Sequence, residues 1–314
     1  MRTFLLALQI LVIIIFSNIP IALTSSEMRN PGLPNFSFVA SGDFGCKGEA
    51  KTTIAKMVKM NPRFVLPLGD LSYEKNVDCW FEVMAPLDEP GKIRIVLGDH
   101  DFGPNLSRFN AYLKHFNMSK PYYSFDYQNA HFLALATAKE GVTSYSKMSE
   151  QYMFVKKDLE NAHNNKSIDW IIVYGFRPLY SSPSMHPGED DLREAYHPLF
   201  DQYDVDIVLQ GHNHNYQRTY PLKFNEGNDS DPIIGDNNTG QYRGVLEGPI
   251  FMTVGTAGQD LHDLTGRNVY IAEQFQRHGF VDVKISNNGT NLTSTFYENR
   301  NNEGIDQFSI IKGG

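Results

Sequence analysis

Apolar and polar positions alternate in blocks along this chain, and the block lengths predict its elements. An apolar run at residues 36–40 predicts a strand. At 47–60, Ile54, Met57 and Val58 share one helical face, which predicts a helix. Further strands are expected at 64–68 and 93–97. The runs at 122–127 and 131–137 flank Gln128-Asn129 and read as a hairpin. Residues 149–163 place Tyr152, Val155 and Leu159 at helical spacing. Strands at 170–174 and 207–209 follow, with a helix at 190–203 between them. Residues 225–240 are rich in Asn, Asp and Gly and read as an exposed loop. Beyond it, 250–254, 279–285 and 292–297 read as strands with no helix between them. Strand–helix units first and strands last, without an internal repeat, predict one mixed α/β domain at 36–314.

The N-terminus departs from this pattern. Arg2 precedes an apolar run at 4–16 broken only by Gln9, and Ala22-Leu23-Thr24 offers small residues for cleavage. Residues 1–24 therefore read as a secretory signal. The alternative is an uncleaved membrane anchor, since apolar character resumes at 19–23 and the total approaches about 20 residues, one bilayer span. The short apolar core favours cleavage. Residues 25–35, with Pro31 and Pro34, read as a linker. Both readings of the leader place the body outside the cytoplasm. Asn-x-Ser/Thr patterns at Asn35, Asn105, Asn117, Asn165, Asn228, Asn237, Asn288 and Asn291 fit a glycosylated surface.

Composition narrows the partners. Of 314 residues, 41% are hydrophobic and 20% charged, as in a folded body. The net charge of -8 argues against nucleic acid as the main partner. A small phosphorylated substrate is compatible with it, because bound metal ions outweigh the surface field. The two cysteines, Cys46 and Cys79, are too few for a four-Cys zinc site. A pair in an oxidising compartment and two separate buried thiols both remain open readings.

Four predicted strands end alike. Each runs into a glycine and then a charged or imidazole side chain: Gly42-Asp43, Gly69-Asp70, Gly98-Asp99-His100-Asp101 and Gly211-His212-Asn213-His214. Parallel strands share one carboxyl edge, where ligands gather. A single Gly-Asp is a common turn dipeptide. Here repetition, order and the final His-x-His carry the signal. Carboxylates so crowded must take up protons, pair, or bind cations. Carboxylate oxygens with imidazoles suit Fe, Mn or Zn. Two such ions clamp both oxygens of a phosphoryl displacement.

The blocks GDFG at 42–45, GDLSY at 69–73, GDHD at 98–101 and GHNH at 211–214 resemble the metallophosphoesterases of the calcineurin-like superfamily. Tyr73 and Asn215-Tyr216-Gln217-Arg218 resemble the purple acid phosphatases in particular. The likeness runs from about residue 38 to 308, without the separate N-terminal β-sandwich of plant-type enzymes. It implies a β-sandwich of mixed sheets flanked by helices, in αββα layers. It also implies an exported phosphatase that hydrolyses phosphoric monoesters with a hydroxide made at a dinuclear metal centre. Asp43, Tyr73 and His214 would bind the first ion, Asp70 would bridge, and Asp99 and His212 would bind the second. Iron is implied at the first position and Fe, Mn or Zn at the second. His100 would contact the phosphoryl group. His186 would protonate the leaving alcohol.

Two positions depart from that family. Its Val-x-x-His block matches Val173-Tyr174-Gly175-Phe176 here, so a phenyl ring stands where a ligand is expected. Asp99 replaces the family's Asn in the third block. The expectation is a harder second site of Asp70, Asp99 and His212, biased toward Mn, Fe(II) or Mg. The competing expectations are an inactive extracellular binding protein on the same fold, and a phosphodiesterase or nucleotidase.

Overall fold

Strand β1 (Phe36–Ser41) explains why the protein is layered. Its alternation sends Phe36, Phe38 and Ala40 to one face and Val39 to the other, and both faces are buried. A strand buried on both sides needs an apolar layer on each. The computed structural model supplies them and describes residues 32–138, 143–301 and 303–313. The leader expected at 1–24 and most of the linker expected at 25–35 lie outside the described residues. Gly32–Gly314 forms one compact unit. Among the described residues, no helix is long and apolar enough to cross a membrane.

The remaining strands are β2 (Phe64–Pro67), β3 (Tyr123–Tyr127), β4 (Ala130–Ala134), β5 (Trp170–Tyr174), β6 (Ile207–Gln210) and β7 (Tyr216–Lys223). They are followed by β8 (Ile233–Ile234), β9 (Gln241–Arg243), β10 (Ile250–Val254), β11 (Ile271–Phe275), β12 (Gly279–Ser286), β13 (Asn291–Glu298) and β14 (Gly304–Ile311). One sheet has the order β2-β1-β12-β13-β14-β9, with β1 and β2 parallel and in register Ala40↔Leu66. The other has the order β11-β7-β10-β6-β5-β4-β3, with β4, β5, β6 and β10 parallel. Phe38, Leu66, Phe132, Ile172, Leu209 and Val283 belong to the core between the sheets.

Helices cover both outer faces. Helices α1 (Gly48–Met60), α2 (Asp78–Met84) and α3 (Ser107–His115) pack Ile54, Trp80 and Tyr112 over the first sheet. Helices α4 (Glu150–Asn164) and α5 (Asp190–Gln202) pack Val155, Leu159 and Phe200 over the second. Ser149 caps α4, its hydroxyl accepting from the Tyr152 N–H at 3.1 Å. Full burial of Trp80 makes α2 costly to lose: a Trp→Ala change in such a site costs about 3–5 kcal/mol. These are the αββα layers that the sequence implied.

Residues 93–97 do not form the expected strand. They make only isolated bridges, Val65↔Ile93 and Leu68↔Val96. The Val96 N–H donates to the Pro67 carbonyl at 3.1 Å, but Pro67 has no N–H to return, so the ladder stops. The hairpin of β3 and β4 forms across Gln128-Asn129 as expected. The 225–240 loop is interrupted by β8, which pairs with β7. Seven of the eight sequon asparagines are exposed, and Asn291, within β13, is half-buried. Cys46 and Cys79 are joined in a disulfide with Cα atoms 6.0 Å apart, tying the loop after β1 to α2.

Candidate metal centre

The four glycine-led loops meet at the seam between the sheets. Parallel pairing of β1 and β2 brings their ends together. The Asp43 N–H then donates to the Gly69 carbonyl at 3.0 Å, and the Phe44 N–H to the Asp70 carbonyl at 3.1 Å. The Gly42 N–H reaches across to the Val254 carbonyl of β10 at 2.8 Å, which binds this rim to the second sheet. Asp43, Asp70, Tyr73 and His212 all have left-handed backbones, with φ of 60°, 51°, 59° and 69°. Such conformations cost non-glycine residues energy and concentrate where a side chain must be aimed.

Four side-chain atoms converge there. The Tyr73 phenol oxygen lies 2.9 Å from Asp43 Oδ1, 3.0 Å from Asp70 Oδ2 and 2.9 Å from His214 Nε2. His214 Nε2 is 3.3 Å from Asp43 Oδ1. Each carboxylate is steadied through its other oxygen. The His212 N–H donates to Asp43 Oδ2 at 2.9 Å, and the His100 N–H to Asp70 Oδ1 at 2.8 Å. His214 Nδ1 donates to the Asp260 carbonyl at 2.7 Å, which leaves the Nε2 lone pair facing the cluster.

This donor set fits a cation. With both carboxylates ionised, three acceptors compete for one phenol proton. Burial, followed by the charge of Asp43, pushes the Asp70 carboxyl well above the carboxylate range. Burial and the same two carboxylates push the Tyr73 phenol up as well. The cluster therefore resists its own negative charge. Ligands bound to a small ion at about 2.1 Å stand about 3 Å apart when at right angles, which is the spacing observed. Among the described residues, no group of three or more His, Cys, Asp or Glu side chains is arranged to hold a metal ion. The phenol of Tyr73 is what completes this cluster.

The second position is built differently. Phe176 is fully buried, and its ring centroid lies 4.8 Å from that of His212. The ring packs on glycine backbone: a Cβ on Gly69 would fall 2.5 Å from it, and one on Gly98 would fall 2.7 Å away. The next residue, Arg177, reaches both Asp99 and Glu189. Thr137 pins this turn, its hydroxyl accepting from the Phe176 N–H at 2.8 Å and the Arg177 N–H at 3.1 Å. Asp99 thus meets a guanidinium, where the sequence suggested an open site shared with Asp70 and His212. Burial and neighbouring His186 and Arg177 push the His212 imidazole down to about 2.

Two imidazoles border the cluster. His100 is exposed, stacks on Tyr73 at 4.4 Å, and holds Nε2 4.0 Å from Asp70 Oδ2. His186 is half-buried and stacks on His212 at 3.8 Å. Asn213 anchors the His186 loop. Its Oδ1 accepts from the His186 N–H at 3.0 Å, and its amide donates to the His186 carbonyl at 2.7 Å.

Two further contributors carried no signal that sequence reasoning used. Asp101 is fully buried and accepts from the Leu71 and Gly98 N–H groups, both at 2.8 Å. It holds the second and third loops together, and burial pushes its carboxyl up to about 7. His262 stacks on His214 at 3.8 Å and accepts the His214 N–H through Nδ1 at 3.1 Å. Its place in an irregular stretch hid it. Asp101 was visible inside the third block. Arg218, in the fourth block's extension, is structural: it forms a buried ion pair with Asp306, Nε to Oδ2 at 2.7 Å.

Comparison with known proteins supplies the family. Purple acid phosphatase 23 of Arabidopsis thaliana is 27% identical over 69% of this chain and 51% of its own length. A phosphoenolpyruvate phosphatase of Allium cepa is 25% identical over 86% of this chain and 59% of its own. The chain therefore spans little more than half the length of these relatives. The solved purple acid phosphatase from yellow lupin (Lupinus luteus) seeds superposes with a TM-score of 0.74 at 20% identity, over 90% of this chain and 54% of that one. Residues 36–216, which contain all four glycine-led loops, match the model of the calcineurin-like phosphoesterases, and the chain belongs to that family.

Proposed function

We propose that this chain is a metal-dependent hydrolase of phosphoric monoesters. The observation that carries the reading is the close cluster of Asp43, Asp70, Tyr73 and His214, whose spacing suits one ion. The relatives' names support the reaction class, and one of them is a phosphatase of phosphoenolpyruvate. Iron suits the first position, where a phenolate would be a ligand. When bound, the ion supplies Lewis acidity toward a phosphoryl oxygen and acidifies water.

The chain's own groups do the rest. Asp43 and Asp70 arrive with their orientation fixed by backbone N–H groups, so little reorganisation accompanies the reaction. His100 stands exposed at the edge of the cluster and donates a hydrogen bond to the phosphoryl group. His186, held by Asn213, delivers a proton to the leaving alcohol. Export is part of the proposal. The Cys46–Cys79 disulfide and the exposed sequons support an oxidising, glycosylating compartment, and the apolar leader supports secretion.

Full-length protein, stripped and reloaded with Fe, Mn or Zn, is expected to turn over an aryl phosphate monoester faster than a diester. Asp70→Ala is expected to abolish this. Folded, metal-loaded protein without turnover would sink the catalytic reading and leave a binding scaffold on the same fold.

A further inference from the structure

We infer that the second metal position is occupied by the protein itself, so that the centre takes one ion. The inference rests on reading the first cluster as a metal site. Three observations carry it.

The first is space. The Phe176 ring is fully buried against Gly69, Gly98 and His212, between the loops that carry Asp70 and Asp99. A phenyl ring donates nothing to a metal and fills the volume beside the one imidazole at that position. Glycine backbone closes against the ring on two sides.

The second is charge. Arg177 is a permanent cation, and both ends of its guanidinium fork are engaged, one by Asp99 and the other by Glu189. The carboxylate that the sequence offers to a second ion already has a positive partner. A divalent ion set beside that guanidinium would meet its repulsion and would have to displace it from Asp99.

The third is the donor count. Asp70 is shared with the first cluster through Oδ2, and its Oδ1 accepts the His100 N–H. Of the three residues that the sequence assigned to this position (Asp70, Asp99 and His212), His212 is then the single neutral donor remaining, with His186 stacked on its ring at 3.8 Å. One imidazole and a shared carboxylate are fewer than the three protein ligands that usual catalytic ion sites present. The pair Phe176-Arg177 thus stands in for ligand and ion together: the ring closes the volume, and the guanidinium supplies a fixed positive partner to Asp99 and Glu189.

Stoichiometry tests this without turnover. The full chain, stripped with chelator and dialysed against Mn(II) or Zn(II), is expected to retain one equivalent by elemental analysis. With Mn(II), its paramagnetic resonance spectrum should be that of an isolated ion rather than a spin-coupled pair. The equivalent should be lost in His214→Ala and kept in Asp99→Asn. Phe176→His combined with Arg177→Leu should gain a second. Two equivalents in the wild type overturn the inference and leave the hydrolase reading standing. So does a single equivalent that survives His214→Ala and leaves with Asp99→Asn. A folded double variant that still binds one ion overturns Phe176 and Arg177 as the cause. No retained metal in the wild type overturns the hydrolase reading itself.

Discussion

Tyr73 and His214, carried by loops of different sheets, meet with phenol oxygen and Nε2 2.9 Å apart. The contact makes Tyr73 a member of the cluster rather than packing beside it. Tyr73→Phe removes the oxygen and keeps the ring. Metal affinity should fall by at least about 10–100-fold, the loss seen when even an outer partner of a ligand is removed. Iron-loaded wild type should carry a visible phenolate-to-iron absorption band that the variant lacks. Titration with absorbance detection measures both, and an unchanged band would exclude Tyr73 as a ligand.

Asp101 predicts a stability effect at a residue that touches no reacting atom. Its two oxygens accept the Leu71 and Gly98 N–H groups in a fully buried setting. In Asp101→Asn one acceptor becomes a donor facing a donor. Leaving a buried N–H without its partner costs about 1–3 kcal/mol. Urea unfolding of the stripped protein should show that loss. Equal midpoints would mean the loops are held by other bonds.

His131 predicts a pH dependence remote from the centre. It is buried on β4, with Nδ1 2.6 Å from Asp126 and Nε2 2.9 Å from Asp158. Burial opposes its charge, but the hydrogen bonds to Asp158 and Asp126 outweigh burial and raise its pKa. A neutral imidazole has one N–H and cannot serve both carboxylates. The sign follows from linkage. The stabilisation is fully present below the unfolded value of about 6.5 and is lost as pH rises through the higher folded value. The melting-temperature gap between wild type and His131→Gln should therefore be wider at about pH 5.5 than at about pH 9. A gap independent of pH would contradict it.

The Cys46–Cys79 disulfide closes a loop with a sequence separation of 33. The chain-entropy estimate for such a loop is about 3–4 kcal/mol. Replacing both cysteines by Ser should lower the unfolding free energy by that order in denaturant titrations. The bridged segment contains Gly69-Asp70 and Tyr73, so metal affinity should weaken in the same variant. Unchanged stability would assign the bridge no part in holding these loops.

Asp43 and Asp70 could be picked out of the sequence because glycine after an apolar run marks a strand end, and strand ends in parallel register share an edge. His214 stood out through the closing His-x-His of the fourth block, and Tyr73 followed from the family likeness. The engagement of Asp99 by Arg177 was hidden, since it depends on which way two adjacent side chains turn from one tight corner. Strand β7 was hidden for another reason. Gln217, Arg218 and Thr219 are polar in sequence, yet all three are buried with partners far along the chain: Arg218 pairs with Asp306 on β14, Gln217 Oε1 accepts the Ser182 N–H, and the Thr219 hydroxyl accepts the Phe251 N–H. Helix α2 spans only Asp78–Met84, too short for its period to stand out. Local pattern carried the layers. Long-range pairing of polar groups decided the remainder.

Asp43, Asp70 and Tyr73 follow strands of one sheet, and His214 follows a strand of the other. An ion seated among them would act as a clasp across the sandwich, so parting the two halves would require releasing it. Its affinity would then count directly toward folding, adding about 4 kcal/mol when free metal stands about a thousandfold above the dissociation constant. Chelation should loosen the seam first, with hydrogen exchange rising at the ends of β1, β2 and β6 before the outer helices respond.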